Sequence, residues 1–589
     1  YEEIKSIHGH DAFLIEYEQL SELLTPLFKS PKTKPKNKQK IKVLKFGGKS
    51  LGNGDGLDYV LSIVKKKITQ EEKIAIVASA RGNATDELID MLNLAKLGED
   101  FQDKFEAFKT YQSLPDPSLD LSHEFDLLKK VFDGVQLLGD YSHKIKDKVV
   151  AQGEIISVKM LANLLTKEGI HADPVDSRKL IKTDDTFGEA IPIQKVSREN
   201  VIRHFKDKDD EIQVVTGFIA SNLDGDTTTL GRNGSNYSAA LLANYLDALE
   251  LENYTHVNGI YTANPELVED AQKIEELTFQ EANELANFGA TILHAKTIIP
   301  LVEKNIPLRL LNTFEPENKG TLIKSEVKSE GIRSVTVQEN VSLISLEGRG
   351  LLGKAGVDAR IFSALAKEHI SVSIISQGSS ERGIGFVVSS SDAKFAKQAL
   401  EKEFAKEFET KDVNRVHIMK DLVIVSIIGQ SLDHFHFSYN ALMKNGISPI
   451  LINNTVTGKN ISLLLKETDL NKAINVIHGR IFGVATKINI AVFGKGLVGG
   501  TLIDQILKSS PEIENRRDLK LNIFAVANSK KVLLNRHGID ENWRLALEEK
   551  GKTPYNINDV IQFARKNHLE NLIAVDNTAS DGFVMNYFP

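Results

Sequence analysis

Short β-branched runs that end in small residues and give way to helical periods recur along the chain: IKVLKF at 41–46, IAIVASA at 74–80 and IQVVTGF at 212–218. Near-continuous apolar strands that alternate with amphipathic helices predict a sheet covered on both faces, so 41–325 is expected to be one α/β domain. Ahead of it, PKTKPKNKQK at 31–40 places lysine at every second position, with two prolines and no apolar residue. Such a stretch buries nothing and reads as a linker. Between 335 and 485 the pattern changes to a weak internal repeat. VSLISLEG, a helical IFSALAKEHI and VSIISQGSSERGIGFVV are echoed by LVIVSIIG, YNALMKNGI and SPILINNTVTGKNISLLL. Each half is a strand–helix–strand–strand unit too small to stand comfortably alone, so the two are expected to pair. At 487 a further strand, INIAVFG, opens a third α/β unit that runs to 589.

Composition narrows the function classes. The chain has 589 residues, 41% hydrophobic and 26% charged, which suits several globular domains and argues against disorder, collagen or coiled coil. Lysine plus arginine number 73 against 80 acids, a net charge of −7, so nucleic acid and anionic lipid are poor bulk partners and small metabolites remain. Cysteine is absent, which excludes disulfides, thiolate nucleophiles and cysteine-held metals and fits a cytoplasmic setting. Apolar runs such as 421–429 fall short of the ~20 residues of a membrane span. The chain opens on Tyr1 and ends just after an apolar strand, so it is expected to be a fragment at both ends.

Two glycine-rich turns carry chemistry. In KFGGKS at 45–50, Gly47 and Gly48 allow backbone N–H groups to face an anion, with Lys45 as a point charge beside it. The spacing is not that of a Walker A loop, and a purely structural glycine turn is the competing reading. GDTTTLGRNGSNYSAA at 225–240 adds Arg232 at the start of a helix, where guanidinium and helix N-terminus both favour a carboxylate; a solvated arginine beside a capped helix is the alternative. The second turn, Gly494-x-Gly496-x-x-Gly499 with Leu497 and Val498 between, has a strand before it and a helix after it, as a dinucleotide pyrophosphate requires. The next strand ends in Asn528 and Ser529 rather than an acid, with Lys530, Lys531 and Arg536 nearby, which leans toward a 2′-phosphate and NADP(H).

KFGGKS, VASARGNATDEL, GEIISVKMLA, TGFIASNLDGDTTTLGRNGSNYSAALLA, VNGIYTANP and ELANFGATILHAKTIIP, in this order, resemble the aspartokinases of the amino-acid kinase fold. The resemblance implies ATP with Mg²⁺ and L-aspartate as substrates. It makes Lys45 the stabiliser of the transferring phosphoryl group, with Gly47, Gly48 and Ser50 around it and Asn236 in the catalytic set. Ser79, Thr85, Glu154 and Arg232 become the aspartate set, Glu154 facing the ammonium and Arg232 a carboxylate. Thr255, His256, Tyr261 and Lys273 become the nucleotide set. Lys49, Asn236, His256 and Glu266 depart from the family pattern, and Ile155 replaces an arginine; Glu266 is expected to repel a triphosphate. These departures support a rival reading, a degenerate kinase domain serving as an amino-acid-sensing scaffold.

The repeat resembles tandem ACT (βαββαβ) regulatory modules, which implies an effector of the threonine or lysine class near Gln377, a second position at Asn454, and a homo-oligomer. A glutamine amide suits both ends of a free amino acid. The order of units, with VANSKK and VDNTAS, resembles the fused aspartokinase–homoserine dehydrogenases, which places Thr578 and Ser580 near the nicotinamide of a Rossmann-type NAD(P)-binding domain. In that family the catalytic lysine comes from a following domain, so this chain is expected to bind cofactor without reducing aspartate semialdehyde. Residues 1–30, with IHGHDAFLIE, are similar to the end of α/β-hydrolase homoserine O-acetyltransferases, where His10 would be the triad base.

Overall fold

The computed structural model describes residues 41–578 except 207, 209–210, 288–293, 329–330, 349–355, 378–382, 430–434, 457, 483–485 and 518. The expected acetyltransferase remnant with His10, the linker and Ser580 lie outside the described residues.

The first unit is built on β1 (Lys42–Phe46), β2 (Ile74–Ala78), β3 (Ala172–Val175), β4 (Ile212–Thr216), β5 (Ile219–Ser221), β6 (Thr227–Thr229), β7 (Leu251–Thr255), β8 (Glu276–Thr278), β9 (Leu308–Asn312) and β10 (Thr321–Lys324). Eight of these form one sheet in the order β3-β4-β2-β1-β7-β9-β10-β8, parallel from β3 through β9, while β5 and β6 pair as a separate hairpin. Strand β2 and strand β4 are buried at every position because helices cover both faces, as their continuous apolar sequences anticipate. Alternation along β1 divides the faces. Val43 packs with Ala239–Ala243 of helix Gly234–Tyr245, whereas Leu44 and Phe46 pack with Val60 and Val64 of helix Asp55–Thr69 and Leu161 and Leu165 of helix His143–Lys167. Lys45 therefore shares the Val43 face, within a hydrophobic wall.

Helix His143–Lys167 runs 25 residues through the first unit. Among the described residues it alone is long and apolar enough to cross a membrane by length and composition, and 72% of its apolar window is buried inside the domain. Its hydrophobicity belongs to the core between the sheet and a layer of Phe101, Phe105, Phe108, Phe125 and Phe132.

The repeat forms one six-stranded antiparallel sheet from β11 (Ile332–Glu347), β12 (Ile374–Gln377), β13 (Gly383–Ser389), β14 (Arg415–Gly429), β15 (Leu451–Asn454) and β16 (Asn460–Lys466), in the order β12-β13-β11-β14-β16-β15. The halves exchange strands. The second half of β11 pairs with β13 and the first half of β14, completing the first unit, while the first half of β11 pairs with the second half of β14 and so completes the second unit. The register breaks near Val341, and Asn340 and Asp421 there take positive φ. The expected βαββαβ order thus holds for the first unit, but the last strand of the second comes from upstream of the first.

That exchanged strand also joins the repeat to the first unit. Val335 packs with Ala263 and Val268 on one side and with Val423, Val425, Ile474 and Ile477 on the other. Thr262 closes the seam: its carbonyl accepts from Val335 N at 2.8 Å, and its hydroxyl lies 2.8 Å from His478 Nε2. Burial pushes the His478 imidazole down to about 4, so this contact is made by a neutral ring.

The last unit has β17 (Thr486–Phe493), β18 (Leu519–Ala527), β19 (Val532–Leu534) and β20 (Leu572–Asp576), ordered β19-β18-β17-β20, with β17 parallel to both β18 and β20. Helix Leu497–Arg517 follows the glycine-rich turn, so the expected strand–turn–helix is present.

Because Val335 is fully buried, Val335→Ala is expected to cost about 2 kcal/mol. Hydrogen-exchange mass spectrometry should then show faster exchange in β14 and β16 of the second unit, with β12 and β13 unchanged. Loosening of β12 and β13 instead would contradict the strand exchange.

Candidate active site

Strands β1, β2 and β4 run parallel, so their C-terminal ends open on one side, and there a cleft of about 660 Å³ gathers residues far apart in sequence. It is lined by Lys45, Gly48, Ser79, Thr85, Glu154, Arg232 and Asn236, seven of the expected site residues. Gly48 is required by close approach: a Cβ there would lie 2.7 Å from Ala80 O and 2.8 Å from Gly82 O. Ser79 and Thr85 enter from the end of β2 and the first turn of helix Ala84–Leu97, and Asn236 from the first turn of helix Gly234–Tyr245. Arg232 is exposed at the mouth.

Two buried groups dominate the electrostatics. Burial lowers the Lys45 ammonium to about 8 and raises the Glu154 carboxyl to about 8. Glu154 Oε1 accepts from Ala80 N at 3.3 Å, while Oε2 has no protein partner. Asn236 Oδ1 is also buried without a partner, as is Oδ1 of Asn253, the β7 residue paired in register with Lys45. Buried polar atoms left unpaired are costly, and a cleft that leaves Glu154 Oε2 and Asn236 Oδ1 without partners suits a ligand bearing donors.

Not every expected residue faces this cleft. Ser50 is fully buried; its hydroxyl accepts from Thr313 at 2.7 Å, fastening the turn. Thr255 and His256 lie at the C-terminal end of β7 beside that turn, where Gly47 N donates to Tyr254 O at 3.4 Å. Tyr261 and Lys273 face each other across an isolated β-bridge, and Lys273 Nζ donates to Asn318 Oδ1 at 2.6 Å. Glu266 lines a separate groove of about 340 Å³ with Glu269, His478 and Arg480.

Sequence reasoning missed Asn253, His143 and Asp147. His143, Asp147, Val150 and Glu154 recur at helical spacing along one face of helix His143–Lys167 and all line the cleft, a pattern that was readable around Glu154. Asp147 is buried, its carboxyl raised by that burial, and it accepts from Gly188 N, Thr229 N and Thr229 Oγ1 at 2.8–3.0 Å, holding two loops to the helix.

In the repeat, Gln377 and Asn454 are exposed on the edge strands β12 and β15. The sheet curls so that these edges approach one another around Ile374 and Leu451. In the last unit, Gly494 has a φ of 97°, and a Cβ on Gly499 would lie 1.8 Å from Gly494 O, so the turn is a bare backbone cradle at the start of helix Leu497–Arg517. Gly496 stands open, and Leu497 and Val498 are exposed beside it. Asn528 Oδ1 accepts from the backbone of Lys530 and Lys531 at 2.8 and 2.7 Å. Glu548 engages Lys495 and Lys531, and Arg536 is bonded to His537, leaving Ser529 and Lys530 exposed. Thr578 N donates to Asp576 Oδ1 at 2.8 Å, at the end of β20.

Fold and site together define an amino-acid kinase domain joined to paired ACT units and a glycine-turn α/β unit. Residues 40–312 match the amino acid kinase family and residues 344–404 match the ACT domain. The bifunctional aspartokinase/homoserine dehydrogenase of Haemophilus influenzae is 30% identical over 564 residues, spanning 92% of this chain and 68% of that protein. The chain belongs to the bifunctional aspartokinase/homoserine dehydrogenase family. Among solved structures, Escherichia coli aspartokinase III with aspartate and ADP superposes with a TM-score of 0.66 at 26% identity, covering 75% of this chain and all of that one. The same enzyme with lysine and aspartate gives 0.61 at 27% identity, covering 75% of this chain and 99% of that one.

Glu154 allows a test of the site's electrostatics. Its carboxyl keeps a proton up to about pH 8 when folded but only to about 4.5 when unfolded, so the folded chain binds the extra proton between these values. Stability contributed by this group therefore falls as pH rises through that window. Glu154→Gln is expected to unfold at a temperature several degrees above the parent at pH 8, with the gain shrinking toward pH 5, measured by scanning calorimetry.

Proposed function

We propose that the chain phosphorylates the side-chain carboxylate of L-aspartate with ATP, giving 4-phospho-L-aspartate and ADP. The observation that carries this reading is the convergence, in one cleft, of a buried unpaired lysine, a buried carboxyl with a free oxygen, and an exposed arginine at the mouth. Glu154 takes the substrate ammonium, which replaces the missing partner of Oε2 and favours the ionised carboxylate. Arg232 holds a substrate carboxylate, with Ser79 and Thr85 completing the pocket. A side-chain carboxylate oxygen then attacks the γ-phosphorus as the bond to the ADP oxygen breaks, and Lys45 balances the charge that spreads over the equatorial oxygens. Asn236, at the first turn of its helix, orients donors around Lys45 without adding charge. Gly47, Gly48, Thr255, His256, Tyr261 and Lys273 form the nucleotide side, with Mg²⁺ entering on the ATP phosphates. This chemistry belongs to the cytoplasm, where both substrates are available.

The kinase unit spans 41–325, the ACT pair 335–485 and the dinucleotide unit 487–589. We assign an amino-acid effector of the threonine or lysine class to the approaching edges that carry Gln377 and Asn454, in a homo-oligomer. In the last unit the glycine cradle fits a pyrophosphate, because Gly494 and Gly499 let the turn close on neighbouring backbone while Gly496 leaves open space at the helix start, and Lys530 would meet the 2′-phosphate of NADP(H). That cofactor supplies hydride chemistry when bound; this chain's residues bind and orient it.

The kinase reading is tested by ADP release with ATP, Mg²⁺ and L-aspartate, and by hydroxylamine trapping of the acyl phosphate. Lys45→Ala is expected to lower turnover by about 10²–10³-fold, as for loss of one transition-state charge contact. Parent activity no higher than Lys45→Ala would defeat the reading. For the last unit, Lys530→Ala is expected to weaken NADPH about tenfold by fluorescence titration while leaving NADH within twofold, a selective loss of one charged contact.

A further inference from the structure

Resting on the nucleotide reading above, we infer that Lys49 and His256 form a paired seat for the terminal phosphates of the nucleotide, bridging the turn after β1 and the loop after β7. The two residues are 207 positions apart, yet Lys49 Nζ lies 3.5 Å from His256 Nε2. Both follow the C-terminal ends of neighbouring parallel strands, the side on which open α/β sheets take their ligands. Between them runs the Gly47–Gly48 turn, where a Cβ on Gly47 would stand 3.3 Å from Lys45 Nζ. Three nitrogen bases thus border one turn of bare backbone.

The local charge is not spent within the protein. Among the described residues, none of Lys45, Lys49 and His256 has a carboxylate within ion-pair distance. Burial, and then the Lys49 ammonium beside it, lower the His256 imidazole toward its neutral form, in which Nε2 accepts from Lys49 and holds that ammonium beside the turn. An anion bound beside them would pair the Lys49 charge and favour a proton on His256, and a polyphosphate offers several oxygens to bridge a pair this close. A lysine seated on an imidazole acts on the phosphates and has no reason to sense the adenosine.

Calorimetric titration of ATP, ADP and AMP into the full chain, Lys49→Thr and His256→Asp separates these contributions. The expected result is a loss of about tenfold or more in ATP affinity in each variant, equal to ~1.4 kcal/mol, with AMP affinity within twofold of the parent. Lys49→Arg, which keeps the charge, is expected to retain most of the ATP affinity. If the parent binds ATP and both variants match it, or lose ATP and AMP by the same factor, the pair is not a phosphate seat and the kinase reading stands. If the parent binds none of the three nucleotides, both the pair and the nucleotide reading fall.

Discussion

Keeping one lysine and one carboxyl out of water, with no ion pair for either among the described residues, is the constraint on which the kinase unit depends. Desolvation works on Lys45 and Glu154 in opposite senses, lowering one and raising the other, and brings both near 8. The hydrophobic wall that does this is the same one that forms the fold. Lys45 lies two residues from Val43 on the face packed by helix Gly234–Tyr245, and Glu154 projects from a helix that also fills the core. The approach of Gly48 to Ala80 O and Gly82 O then closes the turn against the segment after β2. A site of this kind is destabilising until its ligands arrive, because the ligands supply the missing partners.

The same economy of contact joins kinase to repeat. Strand β11 belongs to the second ACT unit by its first half and to the first by its second half, and its first half also packs on the segment around Ala263 and Val268. That segment begins at Tyr261, assigned here to the nucleotide side, and continues through Thr262, whose hydroxyl meets His478 of the second ACT unit. An effector at the β12 and β15 edges, as proposed, would therefore act on a sheet whose central strand touches the proposed nucleotide segment. Allosteric coupling needs such an element, shared by both sites and able to take more than one arrangement.

The residues that depart from the family pattern have structural placements that sequence comparison alone misjudges. Glu266, expected to repel a triphosphate, lines the groove beside His478 and Arg480 rather than the cleft. Lys49 and His256, counted as separate departures, are one local arrangement. Asn236 keeps a buried oxygen without a partner, so its site still asks for a donor even though it lacks a charge. Family membership and this geometry both favour a working kinase over a degenerate scaffold.

Local signals carried much of the outline. Apolar strands, glycine turns and helical periods are short-range consequences of backbone and side-chain sterics, so the three units, Lys45, Arg232 and the Gly494–Gly499 turn were legible from residue order. What only tertiary structure decided depends on contacts between distant segments. The exchange of β11 between ACT units, the burial of Ser50 against Thr313, the meeting of Lys49 with His256, and the raised carboxyl of Glu154 all arise where chain segments over a wide range of separations share one desolvated space. Pattern along a chain reports which face a residue prefers; it does not report what stands opposite that face, and the energy of a buried charge is set by what stands opposite.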